Sequence, residues 1–181
     1  MKSYEVKVES ALIAEEKGTF VTKGRAEVEL DYGGIPGDLH FGLTKQAGVR
    51  EKMYPRGEEI FNRRQITVVS AEECAVIAKK LGVEKIIPEW LGANFMLSGF
   101  PELTQLAPGS RLLFPSGAGL LCEGVNAPCV HPGKVIQNQY PDVPKLAPRF
   151  VKAATGLRGI AAIVERPGKV VTGEKAEIVE L

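Results

Sequence analysis

The feature that most limits how this chain can fold is the close recurrence of glycine and proline between short apolar runs. The 20 glycines and 12 prolines punctuate the sequence, because proline fixes φ and lacks a ladder donor while glycine opens the conformations of tight turns. What lies between the breaks is mostly of strand length. Tyr4 to Ala14 sets Val6, Val8, Ala11, Leu12 and Ile13 in near-alternation with charges, and Arg25 to Leu30 alternates strictly. Ile66 to Val69, Asn94 to Ser98, Ser110 to Phe114, Leu120 to Val125, Ile160 to Val164 and Val170 to Val179 read as further strands. The pattern predicts about eight to nine strands.

Helices are fewer. Ser70-Ala71-Glu72-Glu73 reads as a capping box: the Ser70 hydroxyl accepts from the Glu73 amide, and the Glu73 carboxylate reaches back to the Ser70 amide. The spacing then predicts a helix to Leu81, with Cys74, Ile77, Ala78 and Leu81 on its buried face and Gly82 as its stop. Pro88 to Ala93 reads as a short helical turn, and Leu146 to Ala154 has helical spacing with Pro148 in the first turn. Short strands at close spacing with few helices predict a mainly β fold, a closed or nearly closed β-barrel with a few packed helices, in one domain over residues 1–181.

Composition excludes several function classes. A net charge of +1 provides no basic field for nucleic acid, so an anionic partner must meet a local cluster. The 3 cysteines cannot all pair within one chain and form no Cys-x-x-Cys, which fits a reducing compartment. No apolar run nears the roughly 18 residues that cross a bilayer, and Met1-Lys2-Ser3-Tyr4-Glu5 lacks a signal peptide's apolar core. The expected location is the cytoplasm, with no membrane or nucleic-acid partner.

The residues that carry chemistry sit in the breaks. Asn126, Pro128, Pro132 and Gly133 stop the strand Leu120–Val125 and place Cys129 on a stiff polar loop just past its end. A thiol there is reachable, as a nucleophile or metal ligand must be, whereas Cys74 and Cys122 lie within apolar patterns. Asp38 and His40 stand among the glycines of Gly37-Asp38-Leu39-His40-Phe41-Gly42, which is either a plain surface loop or a close approach of backbone to a ligand. Arg63-Arg64 abuts the strand Ile66–Val69, so one of the two lies where the strand enters the core and needs an anion. Arg158 stands alike between Leu157 and Gly159 before a buried strand. Asn94 opens a strand either as a turn residue or as a donor–acceptor pair that reads a ligand's edge. Cys129 and His131, with Asp38 or His40, are also a candidate zinc set, although Cys-x-His matches no common structural spacing.

Six segments recur in order along nearly the whole chain: Gly37-Asp38-Leu39-His40-Phe41-Gly42; Arg63-Arg64-Gln65-Ile66-Thr67-Val68-Val69-Ser70-Ala71-Glu72-Glu73; Leu91-Gly92-Ala93-Asn94-Phe95; Pro128-Cys129; Arg158-Gly159-Ile160; and Val164-Glu165-Arg166-Pro167-Gly168. Together they resemble the MOSC domain, found at the C-terminus of molybdenum-cofactor sulfurases and as stand-alone bacterial proteins, and related to the amidoxime-reducing components. The resemblance implies a mixed β-barrel, like that of pyruvate kinase, with a few packed helices. It implies a molybdenum cofactor, the metal with molybdopterin, whose molybdenum is bound by Cys129 as metal ligand and catalytic residue. Arg63, Arg64, Asn94, Arg158, Asp38 and His40 are then the expected cofactor-binding residues, the arginines facing the pterin phosphate.

The activity it implies is reduction of N-hydroxylated small molecules. A separate electron-donor protein is then required, since 3 cysteines cannot hold a cluster that needs four thiolates. The alternative is a sulfur carrier with a persulfide on Cys129, or a cofactor-handling protein without its own turnover. Any such sulfur chemistry is expected to be independent of pyridoxal phosphate, because the sulfurase transferase domain has no counterpart in this sequence.

Overall fold

The computed structural model describes residues 1–181 throughout. In chain order the first half runs β1 (Lys2–Ile13), β2 (Lys23–Arg25), β3 (Glu27–Leu30), β4 (Thr44–Gln46), β5 (Glu59–Phe61), β6 (Ile66–Ser70), α1 (Ala71–Leu81), α2 (Pro88–Leu91) and β7 (Phe95–Ser98). The second half runs β8 (Arg111–Leu113), β9 (Gly119–Val125), α3 (Val130–Gln139), α4 (Leu146–Ala154), β10 (Ile160–Arg166), β11 (Gly168–Val171) and β12 (Lys175–Glu180). Eight strands in the order β12-β8-β9-β10-β6-β7-β1-β2 form the main sheet, and pairing of β1 with β12 closes the first seven into a barrel. Only β6 and β7 run parallel, so the barrel is mixed, and closure removes the free edges that would invite other chains.

The length of β1 makes closure possible. Lys2 to Lys7 pair with β12, Lys7 to Ala11 with β7, and Ala11 to Ile13 with β2. A register shift between Val8 and Ser10 lets the strand bend from one neighbour to the next. Two cores result. Val68 of β6 packs inside the barrel with Val8, Phe95, Leu120 and Ile160. Its neighbour Val69 points outward beneath the helices, with Ile77, Leu81, Ile136 and Phe150. Alternation along one strand thus serves both cores, and each fully buried side chain of this size contributes about 1.5–3 kcal/mol. No helix is long and apolar enough to cross a membrane.

Two local expectations need correction. Gly133 and Pro132 do not prolong a turn after Cys129; they lie in the first turn of α3. Proline costs nothing there, because that turn's amides have no helical partner. Gly133 is required by packing: a Cβ at that position would sit 2.5 Å from the Ala147 carbonyl oxygen of α4. Secondly, only half of the capping box forms. Ser70 accepts from the Glu73 amide at 3.3 Å. The Glu73 carboxylate turns inward instead, accepting from the Thr104 amide at 2.9 Å and hydroxyl at 2.8 Å.

Candidate functional site

A cavity of about 590 Å³ opens where β9 ends and β10 begins, between the α3 N-terminus and the 39–50 segment. Its most buried charged group is Arg158. Gly159, at φ +79°, sets the chain direction, and a Cβ there would lie 2.0 Å from the Val68 carbonyl oxygen. Only glycine fits, and the turn it makes leaves Arg158 just 6% exposed. Its Nη2 donates to the Leu91 carbonyl, but Nη1 is buried with no partner. Burial pushes the guanidinium down to about 10, with Arg50 and Arg64 adding to this and Cys74 and Cys129 opposing it. It therefore stays charged at neutral pH, a buried cation with an unmet donor.

Two more arginines converge from other segments. Arg64, just before β6, donates from Nη2 to Asn126 Oδ1 at 2.6 Å, and Asn126 is tied by its own amide to the Gly159 carbonyl at 2.9 Å. Burial also lowers the Arg64 guanidinium, and the Arg50 charge adds to the effect. Arg50 donates from Nη1 to the Ala127 carbonyl at 3.1 Å. Lys45 lines the cavity too, paired with Glu51 at 2.7 Å. No carboxylate side chain is among the lining residues. The cavity wall thus gathers positive charge in a chain whose net charge is only +1.

Cys129 lines the same cavity at the N-cap of α3, partly exposed, and its thiol makes no capping bond. The other two thiols are buried. Burial pushes Cys74 up to about 12, and burial also raises Cys122.

Of the residues expected to bind cofactor, the structure brings Cys129, Arg64, Arg158 and His40 to one cavity. Arg63, Asn94 and Asp38 are not on its wall. Arg63 is exposed and its Nε donates to Glu123. Asn94 is 2% exposed and cannot read a ligand's edge. Its Oδ1 accepts from the Thr67 amide at 3.0 Å, while Nδ2 donates to Asp38 Oδ2 at 3.0 Å and to the Leu12 carbonyl at 3.4 Å. Asp38 is buried behind His40. Arg50 and Asn126 are lining residues that the sequence reading passes over. Arg50 is masked by the acidic residues around it, and Asn126 by its plain reading as a strand stop. The zinc alternative finds no support in the geometry, which gathers no group of three or more His, Cys, Asp or Glu side chains.

A closed mixed barrel with this cavity at the end of its strands defines a member of the MOSC family: the MOSC domain matches residues 36–177, and the chain belongs to that family. Among its relatives is YuaD of Bacillus subtilis (strain 168), 62% identical over 177 residues that make up 98% of this chain and 92% of the relative. That protein's name assigns it provisionally to metal–sulfur cluster biosynthesis. The crystal structure of YuaD from Bacillus subtilis matches with a TM-score of 0.97 at 60% identity, over 99% of this chain and 98% of that one. YiiM from Geobacillus stearothermophilus shares the fold at a TM-score of 0.62 and 17% identity, over 97% of this chain and 75% of that one. YiiM from Escherichia coli does so at 0.59 and 18%, over 100% and 71%.

Proposed function

We propose that this chain binds a molybdopterin-type cofactor in the cavity, with Cys129 as the protein ligand to molybdenum, and reduces N-hydroxylated small molecules there. The observation that carries the reading is Arg158, a buried guanidinium with an unpartnered Nη1. It faces a cavity that lacks carboxylates and holds the chain's only unburied thiol. A phosphate-bearing ligand supplies the missing partner, with Arg64 and Arg50 beside it. Phe20, Leu39, Phe41 and Leu91 give the cavity an apolar side suited to a heterocycle. A thiolate is a soft ligand that suits such a metal. The lack of a protein cage around Cys129 favours a metal that arrives with its own sulfur ligands. When bound, the cofactor would supply two-electron redox chemistry. The chain anchors it at Cys129, holds its phosphate with the arginines and leaves the cavity mouth to the substrate. Electrons come from a separate flavin or iron–sulfur protein.

A second reading has its own support. Cys129 is the one thiol that is not buried, and the YuaD name points to metal–sulfur chemistry, so a persulfide carried on Cys129 is the alternative. Metal and sulfur analysis of protein purified from a cofactor-producing host separates the two. One molybdenum per chain, lost in Cys129→Ser, is the expected result. Labile sulfane sulfur without metal would favour the carrier, and neither one would remove both readings.

A further inference from the structure

Asp38 and Asn94 lie behind the cavity wall, and their hydrogen bonds fix a carboxylate against one ring on that wall. Asp38 Oδ2 accepts from the Ala14 amide at 2.8 Å and from Asn94 Nδ2 at 3.0 Å. Asp38 Oδ1 accepts from the His40 amide at 2.8 Å and faces His40 Nδ1 at 3.0 Å. Burial acts to raise the Asp38 carboxyl, but the His40 ring and the two amides outweigh it and hold the group below the usual carboxylate range. An ionised carboxylate only accepts, so Nδ1 carries the proton and Nε2 is left with a lone pair.

That ring lines the cavity shared by Cys129, Arg64 and Arg158, with its side chain 48% exposed. The other titratable groups on the wall are the cations Lys45, Arg50, Arg64 and Arg158, the thiol of Cys129, and His131. Only two imidazoles can therefore shuttle a proton, and His40 alone has a carboxylate behind it. A base oriented by a buried, fully bonded third group is the arrangement that readies an imidazole for proton transfer.

We propose that His40 is the proton-transfer residue of this cavity and that Asp38 and Asn94 are its positioning residues. The proposal rests on the reductase reading above. Reduction of a hydroxylamine breaks its N–O bond: R–NHOH, two electrons and two protons give R–NH2 and water. The electrons come from the flavin or iron–sulfur donor protein. His40 Nε2 takes a proton from solvent at the cavity mouth and passes it to the departing oxygen, while Asp38 stabilises the imidazolium. The second proton reaches nitrogen from water.

The test uses molybdenum-loaded protein, phenylhydroxylamine as the probe and a reduced viologen as electron source. His40→Ala should lower kcat about 100-fold with KM and molybdenum content unchanged, and added imidazole should restore part of the loss. The His40 side chain is half exposed, so the variant should fold, and a melting curve checks this. In the cofactor-free wild type, nitrogen NMR should find the His40 proton on Nδ1. A variant with the wild-type kcat, a loss traced wholly to missing molybdenum, failure of imidazole rescue, or a proton on Nε2 would each overturn the proposal while the reductase reading stands. Loaded wild-type protein that leaves the probe unreduced would instead overturn that reading and the catalytic role with it.

Discussion

Replacing Arg158 by methionine isolates what the fold gives up to keep this charge buried. Burial lowers this guanidinium from 12.5 to about 10. At about 1.4 kcal/mol per unit of pKa, holding the charge in the folded chain costs roughly 3 kcal/mol. The folded value lies below the ordinary one, so the cost is full at neutral pH and fades only as pH climbs through about 10. Methionine keeps an unbranched apolar stem and removes the charge. Against the relief stands the lost charged hydrogen bond to the Leu91 carbonyl, worth about 1.5–3 kcal/mol. The net change in the ligand-free protein should fall between zero and a gain of about 1.5 kcal/mol. At roughly 2–4 °C per kcal/mol for a domain of this size, Arg158→Met should melt at the wild-type temperature or a few degrees above it. Inorganic phosphate at 100 times its Kd should stabilise the wild type by about 2.7 kcal/mol and leave the variant unmoved. Thermal melts with and without phosphate measure both effects. A variant several kcal/mol less stable, or one that keeps the full phosphate gain, would refute the reasoning and make Arg158 a structural group.

Other outcomes follow from the same geometry. Limited alkylation of the cofactor-free protein, read by peptide mass analysis, should label Cys129 first, because Cys74 is buried and pushed up to about 12 and Cys122 is buried as well. Gly159→Ala should destabilise by about 3 kcal/mol or more, seen as a denaturant midpoint shift, since its φ is +79° and a Cβ would meet the Val68 carbonyl at 2.0 Å. Burial raises the Glu73 carboxyl above its ordinary 4.5, so this group stabilises the fold most below pH 4.5 and less as pH rises through the displaced value. The stability of Glu73→Gln relative to wild type should accordingly improve as pH rises from 4 to 8, and a flat difference across that range would count against the assignment.

How much of this was readable from residues alone depends on how local each cause is. Barrel strands were legible because alternation and Gly/Pro breaks are local signals: Leu120 to Val125 reads as a strand, and Gly119–Val125 is one. The α1 limits were legible for the same reason, with Ser70 capping and Gly82 closing in the left-handed region. Helix α3 was not. Pro132 and Gly133 signal a break, and only the position of Ala147 in a later helix explains the glycine.

The site divides along the same line. Residue type and position, at a strand end for Cys129, Arg158 and the Arg63-Arg64 pair and among glycines for His40, were enough to single these out, but they do not assign roles within the set. Arg64 rather than Arg63 enters the cavity because its partner is Asn126, 62 residues on, while Arg63 meets Glu123, 60 residues on. Adjacent side chains on an extended segment point opposite ways, so the register of β6 against β10, joined across nearly a hundred residues, decides which arginine turns inward. Asn94 is subject to the same kind of decision. Its amide meets Asp38 from 56 residues away, and that contact converts an apparent ligand reader into part of the frame behind His40. Barrel closure settles all of these at once. The cavity's charge pattern is therefore a property of the register, and a strand slipped by one residue would turn Arg64 away from Asn126 and the cavity without altering any motif.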